Sequence, residues 1–265
     1  MFKMNIFHLS TLAKVRFLLF TTHILFISVF FISNIEWYYF LITFLSYVII
    51  GKIGGEIGFH RLFAHRSFKT TKAKERVLLI LGSLNFVGSS LSWCGVHRIH
   101  HKTADTDKDP HSPYFNKLWK VWLIVWKPFV VSPKNISDLI RDKWHLFIHN
   151  NYFVLSYTII ILLAFIDYKF LLFGIIIPSV IQFHVGAYLI DIVCHKYGYR
   201  NYDILDKSRN NIFVNIITGG SGLHNNHHAK PGNPYFNHKP GEFDLPGLVI
   251  KYLLIKNEVE NIKQS

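Results

Sequence analysis

Cysteine and acidic residues are the scarcities of this 265-residue chain. Two cysteines, Cys94 and Cys194, cannot build the multi-bridge framework of a small secreted domain. Asp and Glu number 16 against 29 Lys and Arg, and charged residues of both signs reach only 17%. Soluble globular domains carry roughly 25%, so the shortage argues against a soluble domain. A hydrophobic fraction of 50% excludes a disordered one. No Gly/Ser or Pro-rich linker and no internal repeat divides the chain, so one domain over 1–265 is the simplest organisation. The +13 charge is not set out as a basic stripe interleaved with aromatics, which leaves nucleic acid a poor partner.

Apolar residues, by contrast, come in blocks. Phe17 to Ile32 is broken only by Thr21, Thr22, His23 and Ser28. Lys3, Lys14 and Arg16 before it resemble the start of a signal peptide, but no small-residue cleavage site follows, so a retained transmembrane helix is expected. A second block, Trp37 to Ile57, follows a very short turn. Two more, Tyr152 to Ile166 and Phe170 to Ile190, are separated by Asp167, Tyr168 and Lys169. A hydrocarbon core takes about 20 residues to cross, so the third helix should begin earlier, near Trp144. The expected spans are 15–33, 37–57, 145–166 and 170–190, two hairpins with tiny loops on one side. Lys and Arg crowd the other side, which places both termini and segments 58–143 and 191–265 in the cytoplasm. That bias accounts for most of the +13. Val77 to Cys94 is long enough to cross but carries seven Gly, Ser and Asn residues, and Val121 to Val131 is similarly amphipathic.

Histidine is the other abundance, with 16 copies. Nine of them fall in four groups: His60 and His65; His97, His100 and His101; His195; and His224, His227 and His228. The other seven (His8, His23, His111, His145, His149, His184 and His238) are scattered and read as bystanders. On a helix, i, i+3 and i+4 share a face, so each H-x-x-H-H box is expected to aim three imidazoles at one point. Neutral imidazole suits Zn, Cu, Fe and Ni. Nine clustered histidines exceed one four-ligand site and suggest two metals. His60 and His195 follow the ends of spans two and four, so all groups must lie on one membrane face. From His65 to His97 the chain must therefore cross an even number of times, and Val77 to Cys94 should lie along or dip into the membrane.

The pattern resembles the membrane fatty-acid desaturases of the stearoyl-CoA desaturase type. The resemblance rests on Gly58 to Lys69, on Val96 to His101 running through Lys102 and Thr103 to Asp109-Pro110-His111, and on Cys194 to Arg200. It continues in Ser208 to Asn211, Gly222 to His228 and Glu242 to Leu245, and covers roughly residues 40–255. It implies an all-α integral membrane protein with four transmembrane helices and a cytosolic helical cap. It also implies a di-iron centre of two Fe ions, and O2-dependent insertion of a cis double bond, by family default Δ9, into a saturated acyl chain. The family's ligands carry onto His60, His65, His97, His100, His101, His195, His224, His227 and His228. Asp191 stands where the family often has an Asn that touches one iron through water, so Asp191 is a further ligand or a partner of one. Ser221 and Leu223 depart from a Glu and an aromatic residue before the last box.

Around these ligands, Glu56 is expected to orient His60 one turn later, and Asp105 and Asn225 to support imidazoles. Lys52 reads as its pair at the headgroup boundary. The acyl tunnel should draw on the Val77 to Leu91 run, with Gly88 and Ser89 leaving room, and on spans two and four. The acyl carrier is CoA, acyl carrier protein or a glycerolipid; acyl-CoA enzymes of animals carry Arg-Asp where this chain has Gly95-Val96. No haem-binding pattern of cytochrome b5 is present, so an external donor, ferredoxin or cytochrome b5, is implied, along with contact to membrane lipid. A bacterial inner membrane is expected before an endoplasmic reticulum. The rivals are a sibling di-iron hydroxylase of acyl, carotenoid or alkane substrates and, from another class, a non-enzymatic metal-binding membrane protein.

Overall fold

Four long apolar helices turn their greasiest faces outward. The structure, a computed structural model, describes residues 9–125 and 131–255. His8, the Lys127-Pro128 step of the 121–131 run and both chain ends lie outside these residues. The described residues form helices and loops, with two isolated antiparallel bridges (Tyr199 to Asn210 and Asn210 to Leu223). Helices Leu12–Phe31, Tyr38–Ala64, Lys143–Ile166 and Tyr168–Lys196 are long and apolar enough to cross a membrane. Phe17, Phe20, Ile24 and Phe30 of the first, and Val154, Ile161 and Phe165 of the third, are exposed. Such a continuous apolar surface needs lipid around it. The chain is a multi-pass membrane protein.

The loops after spans one and three lie together, because Lys169 Nζ donates to Glu36 Oε2 at 2.9 Å and to the Asn34 carbonyl at 3.0 Å. Two spans run further than hydropathy alone suggests. The second continues from 57 to Ala64 and the fourth from 190 to Lys196. His60 and His195 therefore ride on the spanning helices rather than beyond them. Both helices are wound wide there, with π-type turns over Tyr47–Ala64 and Val185–Val193; the His65 N–H, for instance, reaches the His60 carbonyl at 3.1 Å. Wide turns inside helices concentrate at functional sites.

The run from Val77 to Cys94 does not cross. Helix Lys72–Ser83 enters, the chain reverses at 84–89, and helix Ser90–Thr103 returns. Phe86 and Gly88 take left-handed backbone (φ 55° and 105°) to make that reversal. Irregular backbone at membrane depth needs internal partners, and three spans supply them. Asn85 Nδ2 donates to the Ile50 carbonyl, Tyr152 Oη to the Ser83 carbonyl, and Ser179 Oγ to the Leu84 carbonyl. The entering helix packs backbone to backbone on span two: a Cβ on Gly54 would sit 2.4 Å from the Leu81 carbonyl carbon, and one on Gly82 would strike the Phe59 ring. Glycine at both positions lets the helices close, as membrane interfaces favour.

Candidate metal centre

Each histidine group is placed by a distinct local device. Ser89 caps the second-box helix by accepting from the Ser92 N–H. Arg98 on that helix donates to the terminal carbonyls of span two, Phe63 and Ala64, at 2.6 and 2.8 Å, and forks onto Asp138 at 2.7 and 2.9 Å. That clamp fixes the second box against the first. The third-box helix, His224–Ala229, begins with the Asn225 and Asn226 N–H groups donating to Asn210 Oδ1. Asn226 then accepts from Asn201 and Asn210 and donates to Glu242 and the Phe236 carbonyl. The asparagines of H-N-N-H-H therefore build the cap rather than face the imidazoles.

The nine clustered histidines converge as two sets. His60, His65, His97, His101 and His227 form one, and His100, His195, His224 and His228 the other; within each set the nearest ring nitrogens lie within 4.8 Å of one another. Pairs of Nε2 atoms face each other closely: His60 and His227 at 3.0 Å, His65 and His97 at 2.8 Å, His101 and His227 at 2.9 Å, His195 and His224 at 3.0 Å. The H-x-x-H-H boxes do not each aim at one point. His97 and His101 enter the five-member set and His100 the other, while His224 and His228 enter the four-member set and His227 the first. Each box thus serves both sets.

Carboxylates hold the outer ring nitrogens. His60 Nδ1 meets Glu56 Oε1 at 3.2 Å, His100 Nδ1 meets Asp109 at 3.0 Å, His195 Nδ1 meets Asp105 at 2.9 Å, and His228 Nδ1 meets Asp206 at 3.1 Å. An Nδ1–H donated to a carboxylate leaves the Nε2 lone pair inward, the tautomer a metal needs. His228 Nε2 is buried with no hydrogen-bond partner, as an atom that would ligate a cation must be. Burial first, and neighbouring imidazoles second, push His65, His97, His101, His224, His227 and His228 well below the ordinary histidine pKa. They stay neutral at physiological pH, the form that ligates. Burial opposes charge on His100 as well, but Asp109 outweighs it and raises that pKa. The donor set therefore fits two ions that favour imidazole.

Beneath the Glu56 carboxylate lies a fully buried arginine. Arg61 Nε donates to Glu56 at 3.2 Å, its other nitrogens fork onto Asp244 at 2.7 and 2.8 Å, and the guanidinium lies 3.6 Å from the Phe236 ring centroid. A mostly apolar cavity lies against the histidines. Glu56, His60, His97, His100, His111, Asp191 and His224 are among its polar lining, and Leu12, Val15, Phe59, Val87, Phe183 and Ala187 are among its apolar walls.

The fatty acid desaturase profile matches residues 35–241. The chain belongs to the fatty acid desaturase family. It is an oxidoreductase acting on fatty acyl chains. The desaturase is 35% identical over 227 residues to an sn-1 stearoyl-lipid 9-desaturase of Synechocystis, covering 83% of this chain and 70% of that one. An Anabaena variabilis sn-1 stearoyl-lipid 9-desaturase is 34% identical, with 87% and 86% covered. An acyl-CoA C20 Delta5-desaturase of Anemone leveillei is also 34% identical, with 78% and 70% covered.

Other expected positions in the desaturase sort by geometry. Asp191 lines the cavity and lies 3.6 Å from His111 Nδ1, outside both histidine sets. His111, read as a bystander, stacks on His100 at 4.3 Å and forms a third cluster with His100 and Asp109. The Asn225 carboxamide is committed to Asn201 and Tyr202. Gly88 and Ser89 make the re-entrant turn, with Ser89 Oγ 2.7 Å from His149 Nδ1, and their neighbours Val87 and Ser92 line the cavity instead. Span one, through Leu12 and Val15, joins a wall expected from the Val77 to Leu91 run and spans two and four. The roles of Asp206, Arg61 and Asp244 escaped the sequence reading, since a single acid or base, on a helix or in a loop, carries no periodic signal.

Proposed function

We propose that this desaturase places a cis Δ9 double bond in a saturated acyl chain at two irons, held by the five-histidine and four-histidine sets. The observation that carries the reading is one mostly apolar cavity lined by histidines of both sets, His60 and His97 of one and His100 and His224 of the other. Bound there, two irons supply the O2 chemistry that removing hydrogen from unactivated methylenes requires. The balance is one O2, two electrons and two protons consumed, two hydrogens taken from adjacent carbons, and two waters released. The protein's part is positioning. The cavity lays the chain beside the histidines, while Glu56, Asp105, Asp109 and Asp206 fix imidazole orientation.

A glycerolipid is the proposed acyl carrier. The Synechocystis and Anabaena relatives are named for stearoyl-lipid, and the position before Val96 leaves no space for an arginine. A Cβ on Gly95 would lie 2.4 Å from a Val131 methyl. Electrons come from an external ferredoxin or cytochrome b5. Both termini face the cytoplasm, in a bacterial inner membrane, on the side where Lys and Arg collect. Expression in a host lacking its own desaturase, followed by fatty-acid and lipid-class profiling, tests the reading. Unsaturated glycerolipid is expected, and His100→Ala or His227→Ala should abolish it. Hydroxylated lipid would establish the hydroxylase rival instead, and full activity in either variant would sink the metal assignment.

A further inference from the structure

Each turnover takes electrons from outside the chain, and one surface patch lies directly against a clustered histidine. Tyr114 is 37% exposed, yet its hydroxyl donates to the His195 carbonyl at 2.8 Å. Lys196 Nζ and Lys207 Nζ lie 4.5 and 4.1 Å from its ring centroid. The Lys207 N–H donates at 2.7 Å to Asp105 Oδ2, the same oxygen that takes the His195 Nδ1–H. Arg209 and the exposed Tyr197 are near enough to act electrostatically on Tyr114. Among the described residues, neither Lys196 nor Lys207 nor Arg209 is held in an ion pair with a carboxylate.

We propose that this patch, centred on Tyr114, is the docking and electron-entry surface for a small acidic one-electron carrier protein. The inference rests on the desaturase reading and adds where the partner binds. Three cations without acidic partners attract and orient an acidic surface. The exposed ring offers the carrier a contact one hydrogen bond from the backbone of His195. A second surface depression also touches a clustered histidine, His101, but Asp203 and Asp206 border it. Those acids would repel the same partner.

Binding to the purified, iron-loaded full chain in detergent tests this, by biolayer interferometry with a plant-type [2Fe–2S] ferredoxin and with soluble cytochrome b5. At low salt at least one carrier should bind, and added salt should weaken it steeply. The double change Lys196→Glu with Lys207→Glu should raise the Kd about tenfold or more. Lys72→Glu, a charge reversal at a cation already paired with Glu75, should change it little. Unaltered iron content and melting temperature certify that the double variant is folded. An equal Kd in wild type and double variant overturns the proposal. So does a double variant that keeps carrier binding but loses binding to anionic phosphatidylglycerol vesicles, since the patch would then serve lipid. Failure of wild type to bind either carrier, while cells expressing it accumulate unsaturated lipid, overturns the docking site and spares the desaturase reading. Absence of unsaturated lipid would bring down that reading, and the docking site with it.

Discussion

Replacing Asp105 by Asn isolates the part played by a single outer carboxylate. Asp105 Oδ2 takes two protons' worth of hydrogen bonding, from His195 Nδ1 at 2.9 Å and from the Lys207 N–H at 2.7 Å. Burial alone would raise the Asp105 pKa, but these two donors bring it below the ordinary range. An asparagine with its oxygen in the Oδ2 place still accepts from both donors, but as a neutral group it holds the His195 Nδ1–H less strongly than a carboxylate does. Turned the other way, its amide faces both donors: the imidazole must then accept at Nδ1, its Nε2 carries the proton where a lone pair is needed, and the Lys207 N–H loses its acceptor in a buried place. Loss of such an orienting partner lowers metal affinity about 10–100-fold, or about 1.4–2.7 kcal/mol. Iron titration against a competing chelator should find two tight sites in the wild type. Asp105→Asn should keep the five-histidine site and weaken the other by that factor. Asp107→Asn, two residues on and exposed, should match wild type. Wild-type affinity at both sites in Asp105→Asn would refute the argument that His195 depends on the charge of this carboxylate for its hold on the metal.

Three other perturbations follow from the same structure. Arg61→Met strands Asp244, which is buried with a side-chain exposure of 0%, so stability should fall by roughly 3–5 kcal/mol; Arg61→Met with Asp244→Leu should recover part of it, and equal melting temperatures for the two in detergent would count against the pair. Gly186 lines the cavity with open space around its missing Cβ, so Gly186→Ala should be tolerated. Gly186→Phe should instead cut long-chain products relative to shorter ones in the fatty-acid profile, and an unchanged chain-length ratio would remove this stretch from the acyl path. Single cysteines at Lys69 and Asp203 should label from the face opposite to cysteines at Asn34 and Tyr168, and labelling of all four from one face would contradict the four-span topology.

Much of this fold was legible because hydropathy acts over long runs. Four spans and their two tight hairpins follow from run length, and the re-entrant course of Val77 to Cys94 follows from requiring His65 and His97 on one face. Their ends were less legible. Span two reaches Ala64 and span four reaches Lys196 because helix continues past the apolar run, and hydropathy cannot see a helix whose last turns carry Glu56, His60 and Arg61. The reversal at 84–89 is held by hydrogen bonds to Tyr152 and Ser179, which lie 64 to 95 residues away in sequence, a separation no local pattern encodes.

The site shows a sharper limit. Its nine imidazoles could be named from the boxes, yet the division between the two sets could not be taken from face-sharing alone. Helical geometry explains the division once the partners are known. At about 100° per residue, positions i and i+4 lie about 40° apart, whereas i and i+3 lie about 60° apart on the other side. In H-x-x-H-H the outer two histidines are therefore the close pair, and the middle one stands about 100° from the last. His97 and His101 pair, as do His224 and His228, while His100 and His227 each cross to the other set. The two box helices face each other, so the outer pair of one meets the middle histidine of the other. One triplet aimed at one set would leave each set with a single box helix beside its spanning helix. Divided triplets make both sets depend on both box helices, and the spacing that looked like a three-ligand face is instead a two-plus-one connector between the two sets.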